Sequence, residues 1–142
     1  MKRILFFIFL FSGLTSFAKD KLVSLENTPS LLQVFVKKHF PAETINYIEK
    51  DKNYDVKLTN GTELEFNRKG EWVEIDSEHN EMPQTVIDLL PQNAKTYLSD
   101  NYKDLKVKKI SKEHNGYKVD LRTKPDVELK FDKNGNFKRF DD

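Results

Sequence analysis

The sequence predicts an α+β fold: a tandem repeat of one helix plus a four-stranded antiparallel sheet, the two sheets joined into one continuous eight-stranded sheet with the helices on one face. Three observations carry this prediction. A motif recurs: Tyr54, Val56, Leu58, a turn, then Leu64, Phe66, Gly70 and Trp72 return as Tyr117, Val119, Leu121, a longer turn, then Leu129, Phe131, Gly135 and Phe137. Within each copy an apolar period of 3.6 residues gives way to a period of two. Each copy alone would form only a marginal core, about 50 to 60 residues, so joining the sheets is the simplest way to bury enough apolar surface. Two tethered domains are the alternative.

Before the repeats, residues 1–18 read as a signal peptide. Lys2 and Arg3 precede an apolar run, and Ser16-Phe17-Ala18 places small residues where a signal peptidase reads, so cleavage is expected after Ala18. The apolar stretch falls short of the roughly 20 residues a membrane anchor needs. Residues 19–28 read as a linker, 29–78 as repeat 1 and 79–142 as repeat 2, with an extra short helix over 83–90.

The helix of repeat 1 is expected to start at Thr28-Pro29, with Thr28 as N-cap and Pro29 in the first turn. Leu31, Leu32, Phe35, Val36 and Phe40 form its apolar stripe, and Pro41 ends it. In repeat 2 the matching helix carries Ala94, Tyr97, Leu98 and Tyr102 after Pro91. Strands are expected around 45–49, 54–58, 63–66 and 71–76, and again around 107–111, 117–121, 128–131 and 136–141. A three-residue loop Thr59-Asn60-Gly61 pairs Val56 with Leu64 and Tyr54 with Phe66, which puts every apolar residue on one face and gives Gly61 a positive φ. Asp132-Lys133-Asn134-Gly135-Asn136 lacks the ligand spacing of a calcium loop and reads as a hairpin turn, like Asn67 to Gly70.

Composition narrows function. There is no cysteine, hence no disulfide framework or lipid-attachment cysteine. Removing Lys2 and Arg3 from the 24 basic residues leaves 22 against 23 acidic, a balance that argues against a nucleic-acid or anionic-membrane binder. No membrane insertion is expected after signal cleavage, and no cofactor. His39, His79 and His114 lack metal-site spacing, and no nucleophile constellation occurs, so neither a metal nor catalysis is expected.

The repeated pattern "Tyr-x-Val-x-Leu, turn, x-Leu-x-Phe-x-x-x-Gly-x-Trp/Phe" behind a signal peptide resembles the PepSY-like family of exported bacterial proteins. That resemblance covers nearly all of residues 29–142. It implies a fold related to the beta-lactamase-inhibitor protein, whose tandem repeat grips another protein with its sheet. It therefore also implies a non-enzymatic periplasmic or secreted module, one that binds or inhibits an enzyme. The matching positions are core and turn positions, so no partner-gripping residue carries over.

The partner-binding candidates come instead from the face the strands turn away from the core: Asp55, Lys57, Glu63, Glu65, Glu74, Lys118, Asp120, Glu128 and Lys130. Lys57 should face Glu63 favourably, while Asp120 faces Glu128 and Lys118 faces Lys130 repulsively, with a diagonal from Asp120 to Lys130 in compensation. Trp72 has two readings. Paired with Phe66 it is core; if Phe66 pairs with Glu71, it joins Glu65 and Glu74 outside as an interface anchor. The expected function is an exported, non-catalytic binding module, monomeric, that engages a protein or peptide of the envelope. A self-associating envelope protein and a binder of a small ligand between the repeats are the alternatives.

Overall fold

The computed structural model describes residues 21–141, so the expected signal peptide lies outside the described residues. Helix α1 (Ser30–His39) precedes β1 (Ile45–Lys50), β2 (Tyr54–Leu58), β3 (Glu63–Phe66) and β4 (Trp72–Asp76). Then come the short α2 (Gln84–Ile87), α3 (Gln92–Asn101), and β5 (Val107–Glu113), β6 (Gly116–Leu121), β7 (Val127–Asp132) and β8 (Phe137–Phe140). All eight strands pair antiparallel with their sequence neighbours in one sheet.

The copies agree in detail. The β1–β2 ladder skips one residue between Ile45 and Tyr47, and β5–β6 skips one between Val107 and Lys109. The β3–β4 and β7–β8 ladders each skip one as well, at Val73 and Lys138. Phe35 of α1 meets Phe66 edge-on at 5.3 Å, and Tyr97 of α3 meets Phe131 edge-on at 5.6 Å. Each helix therefore lays an aromatic edge on the equivalent phenylalanine of its own sheet half, and both helices lie on the same face.

What joins the halves is the pairing of β4 with β5, Ile75 opposite Ile110, both fully buried. Ser77 reinforces the seam, its backbone N–H and its Oγ both donating to the Lys108 carbonyl, at 2.9 and 2.7 Å. The inward side chains Leu32, Phe66, Ile75, Ile110, Leu129 and Phe131 belong to one apolar core. That core spans both repeats, which is how two marginal units become one adequate one.

Several local expectations change. Thr28 does not cap α1: its Oγ1 donates to the Leu25 carbonyl at 2.5 Å, and Pro29 takes the N-cap position without a side-chain bond. Leu31 is exposed, as is Val34, whereas Leu32, Val36 and His39 face inward. His39 is buried and its Nδ1 lies 2.8 Å from Thr85 Oγ1, tying α1 to α2; burial, helped by Lys38, lowers its pKa. Residues 21–28 do not trail away. Leu22 bridges Glu49, the Val23 N–H donates to the Ile48 carbonyl, and the segment shields the outer edge of β1.

The β2–β3 loop has the expected register, Val56 opposite Leu64 and Tyr54 opposite Phe66. Gly61 has φ +97°, and a Cβ built there would meet nothing within 4 Å. Gly61→Ala therefore carries only the backbone cost and should lower stability by about 1 kcal/mol in chemical denaturation. An unchanged midpoint would refute the strained turn.

Candidate binding face

Strand alternation decides which side chains leave the core, and the registers line them into two rows across the sheet, on the side away from α1 and α3. One row runs Tyr47, Lys57, Glu63, Asp76, Lys109, Asp120, Glu128. The other runs Glu49, Asp55, Glu65, Glu74, Ser111, Lys118, Lys130, Arg139. The second row is polarised, with four carboxylates over repeat 1, a serine at the seam and three cations over repeat 2.

On the acidic half, Tyr47, Glu49, Asp55, Glu63, Glu65 and Glu74 are among the residues that line a depression of about 240 Å³. Burial, and then the charges of Glu65 and Glu49, push the Asp55 carboxyl above its usual range. Lys57 Nζ lies 2.5 Å from Glu63 Oε1, the expected favourable pair, and that hydrogen bond raises the lysine pKa. Asn53 donates to Glu65 at 2.7 Å, while Glu74 receives Ser111 Oγ at 3.1 Å and lies 3.2 Å from Lys109 Nζ. Glu63, Asp76 and Glu78 bring carboxylate oxygens within 4.8 Å of one another, but Glu63 already holds Lys57.

On the basic half, Lys118 and Lys130 are opposite each other as expected. Their compensation is not the diagonal to Asp120. Asp141 lies 3.6 Å from Lys118 and 3.8 Å from Lys130, and Glu113 lies 3.2 Å from Lys130. Asp120 does face Glu128, and here the structure adds what the pattern lacked: Asp120 is buried, and its Oδ1 has no hydrogen-bond partner.

Trp72 does not belong to this face. It pairs with Phe66 and is 8% exposed, and the extra residue Val73 lets both Trp72 and Ile75 point inward although they are three apart. Its ring approaches Tyr117 of repeat 2 at 6.4 Å, and Lys112 Nζ sits 4.4 Å from the ring centre. Trp72 is thus a seam residue rather than an interface anchor. Its fluorescence should be quenched only weakly by acrylamide in the folded protein, and strong quenching would contradict this placement.

The remaining sequence candidates resolve as structure. Asp132 Oδ1 accepts the Asn134 and Asn136 backbone N–H groups, both at 2.9 Å, and those bonds lower its pKa. Asn67 Oδ1 does the same for Lys69 and Glu71 at 3.0 Å, so both segments are turns held by one side chain. No described helix is long and apolar enough to cross a membrane.

With the tandem sheet and its two helices established, comparison with known proteins is decisive. Residues 52–139 match the family described as "Putative beta-lactamase-inhibitor-like, PepSY-like". The chain belongs to this family. A PepSY-like chain should share its fold with periplasmic relatives, and it does. It is 36% identical to a protein of Bacteroides thetaiotaomicron described as a putative calcium-regulated periplasmic protein, with a TM-score of 0.77 over 88% of this chain and 99% of that one. It is 36% identical to a Bacteroides vulgatus protein described as a putative periplasmic protein of unknown function, at a TM-score of 0.76 over 84% and 95% of the two chains. A further Bacteroides vulgatus protein, described as a putative periplasmic protein, is 31% identical at 0.77 over 86% and 96%. No curated protein matches the PepSY-like chain. The three relatives support a periplasmic location, and the family description supports a non-catalytic role.

Proposed function

We propose that this PepSY-like protein is an exported, non-catalytic binding module that engages a protein of the envelope through the sheet face opposite its helices, after signal cleavage behind Ala18. The observation that carries this is the polarised second row, Glu49 to Arg139, which spans all eight strands. Apolar residues were kept off it, and a surface ordered from acidic to basic imposes one orientation on whatever docks there. Inhibition of an enzyme is one form such docking takes, in keeping with the family description.

Affinity capture from an envelope extract tests it, using the exported chain, residues 19–142, and the same chain carrying K57E and E65K. The native bait should recover a partner that the charge-altered bait loses. Equal recovery by both would sink the reading.

The same polarity supports a second reading. A copy turned by half a revolution would set its acidic half against the basic half of the first, a self-complementary contact. Sedimentation at increasing concentration separates the two, since a monomer throughout removes self-association.

A further inference from the structure

The repeats disagree most sharply at one cross-strand pair. Lys57 and Glu63 of repeat 1 occupy the positions that Asp120 and Glu128 occupy in repeat 2. In repeat 1 the pair satisfies itself, ammonium to carboxylate at 2.5 Å. In repeat 2 two carboxylates face each other. Asp120 is 7% exposed, and its Oδ1 is without a hydrogen-bond partner in the structure. A buried carboxylate oxygen without a donor is costly unless something else supplies one.

The neighbouring cations are already engaged. Lys109, opposite Asp120 on β5, is 3.2 Å from Glu74; Lys118, on β6 itself, is 3.6 Å from Asp141; Lys108 is 2.9 Å from Asp126. None of them donates a hydrogen bond to Asp120 Oδ1. The unmet demand lies just under the face proposed to dock a partner, and the half-buried Glu128 opposite it is the carboxylate a partner's side chain reaches first.

We propose that Asp120 and Glu128 together receive a basic side chain of the partner protein, an arginine by preference, which takes the role that the Lys57 ammonium plays in repeat 1. This rests on the docking role of the face. A guanidinium carries five N–H donors in a rigid fork, enough to serve both carboxylates, and such charge-assisted bonds are the strong ones. A divalent cation fits less well. Calcium takes 6–8 oxygen ligands, whereas this pair offers two carboxylates flanked by the positive charges of Lys109 and Lys118.

The probe is a short peptide, acetyl-Gly-Arg-Gly-amide, titrated into isotope-labelled exported chain at neutral pH and low salt, with amide and carboxyl shifts read by NMR. The expected result is a saturable change centred on Asp120 and Glu128, at least tenfold weaker when citrulline replaces the arginine. D120N and D120K should each abolish it, D120K by restoring an internal lysine–glutamate pair. K57D should add a second responsive site at Glu63, provided its spectrum shows a folded chain; D120N carries the test should D120K fail that check. Equal shifts with citrulline, shifts that survive D120N, or a response to calcium chloride alone would overturn the proposal. If the peptide fails while the charge-altered bait still loses its partner, the docking face stands and only its arginine receptor falls.

Discussion

Phe131→Ala should lower stability by about 3–5 kcal/mol, the range for deleting a buried aromatic side chain, and should destabilise both repeats in a single transition. Phe131 is 1% exposed and lies beneath the edge of Tyr97, with Phe137 6.1 Å away. Loss of its ring removes one of the aromatic contacts that seat α3 on the sheet. Against a total of about 5–15 kcal/mol for an ordinary domain, that loss takes a large fraction. Cooperativity follows from the seam: Ile75 pairs with Ile110, and Trp72 of repeat 1 packs toward Tyr117 of repeat 2. Trp72 is the only tryptophan, so its fluorescence reports from repeat 1 on damage done in repeat 2. Urea unfolding followed by Trp72 fluorescence and by far-ultraviolet circular dichroism should shift together. If circular dichroism moved and fluorescence stayed at its native midpoint, the repeats would be separate folding units. Phe66→Ala, at the equivalent place under Phe35, should behave alike.

Asp120→Asn should stabilise the protein at neutral pH by about 1–3 kcal/mol, and the gain should fade in acid. Burial, reinforced by Glu128, pushes the Asp120 carboxyl up to about 6 from 3.8, with Lys118 and Lys109 only partly opposing the shift. Between those values the folded protein holds a proton that the unfolded chain has released. Asp120's contribution is therefore full below about pH 3.8 and is lost as pH rises through about 6, beyond which the buried anion opposes folding. Denaturation midpoints of the native chain and D120N should converge near pH 4 and separate by pH 7.5. A constant difference across that window would show that Asp120 keeps an ordinary pKa. A group that works against folding at neutral pH, beside the surface proposed to dock a partner, is what a trade of stability for binding leaves behind.

Much of the scaffold could be read from residues 54–72 and 117–137 alone. Alternation of apolar and charged residues selects the inward set, and the Thr59-Asn60-Gly61 loop admits only one register that keeps Val56 and Leu64 together. Trp72 was different. Two registers of the β3–β4 hairpin were compatible with the pattern, and the outcome depended on Val73 being skipped. A bulge has little local signature, because its stability comes from the contacts the re-aimed side chains then make, here with Tyr117 and Lys112 on strands about 40 residues away. The exposure of Leu31 is of the same kind: spacing puts it in the apolar stripe, but how α1 lies on the sheet decides that Leu32 is covered and Leu31 is not.

The candidate face divides in the same way. Nine of its ten expected residues stand in the two cross-strand rows; eight follow from strand parity, and Glu74 joins them only because Val73 is skipped. Their partners do not follow from parity. Lys118 and Lys130 meet Asp141, a residue beyond the end of β8, and this leaves Asp120 without the diagonal expected for it. Periodicity and turn chemistry act over a few residues, so the sequence by itself determined the repeated unit, the β2–β3 register and most of the residues that turn away from the core. Ion pairing and burial depend on atoms brought together from distant strands. Only the tertiary structure, therefore, decided that the two sheets are one, that Trp72 closes their seam, and that Asp120 Oδ1 is left without a donor.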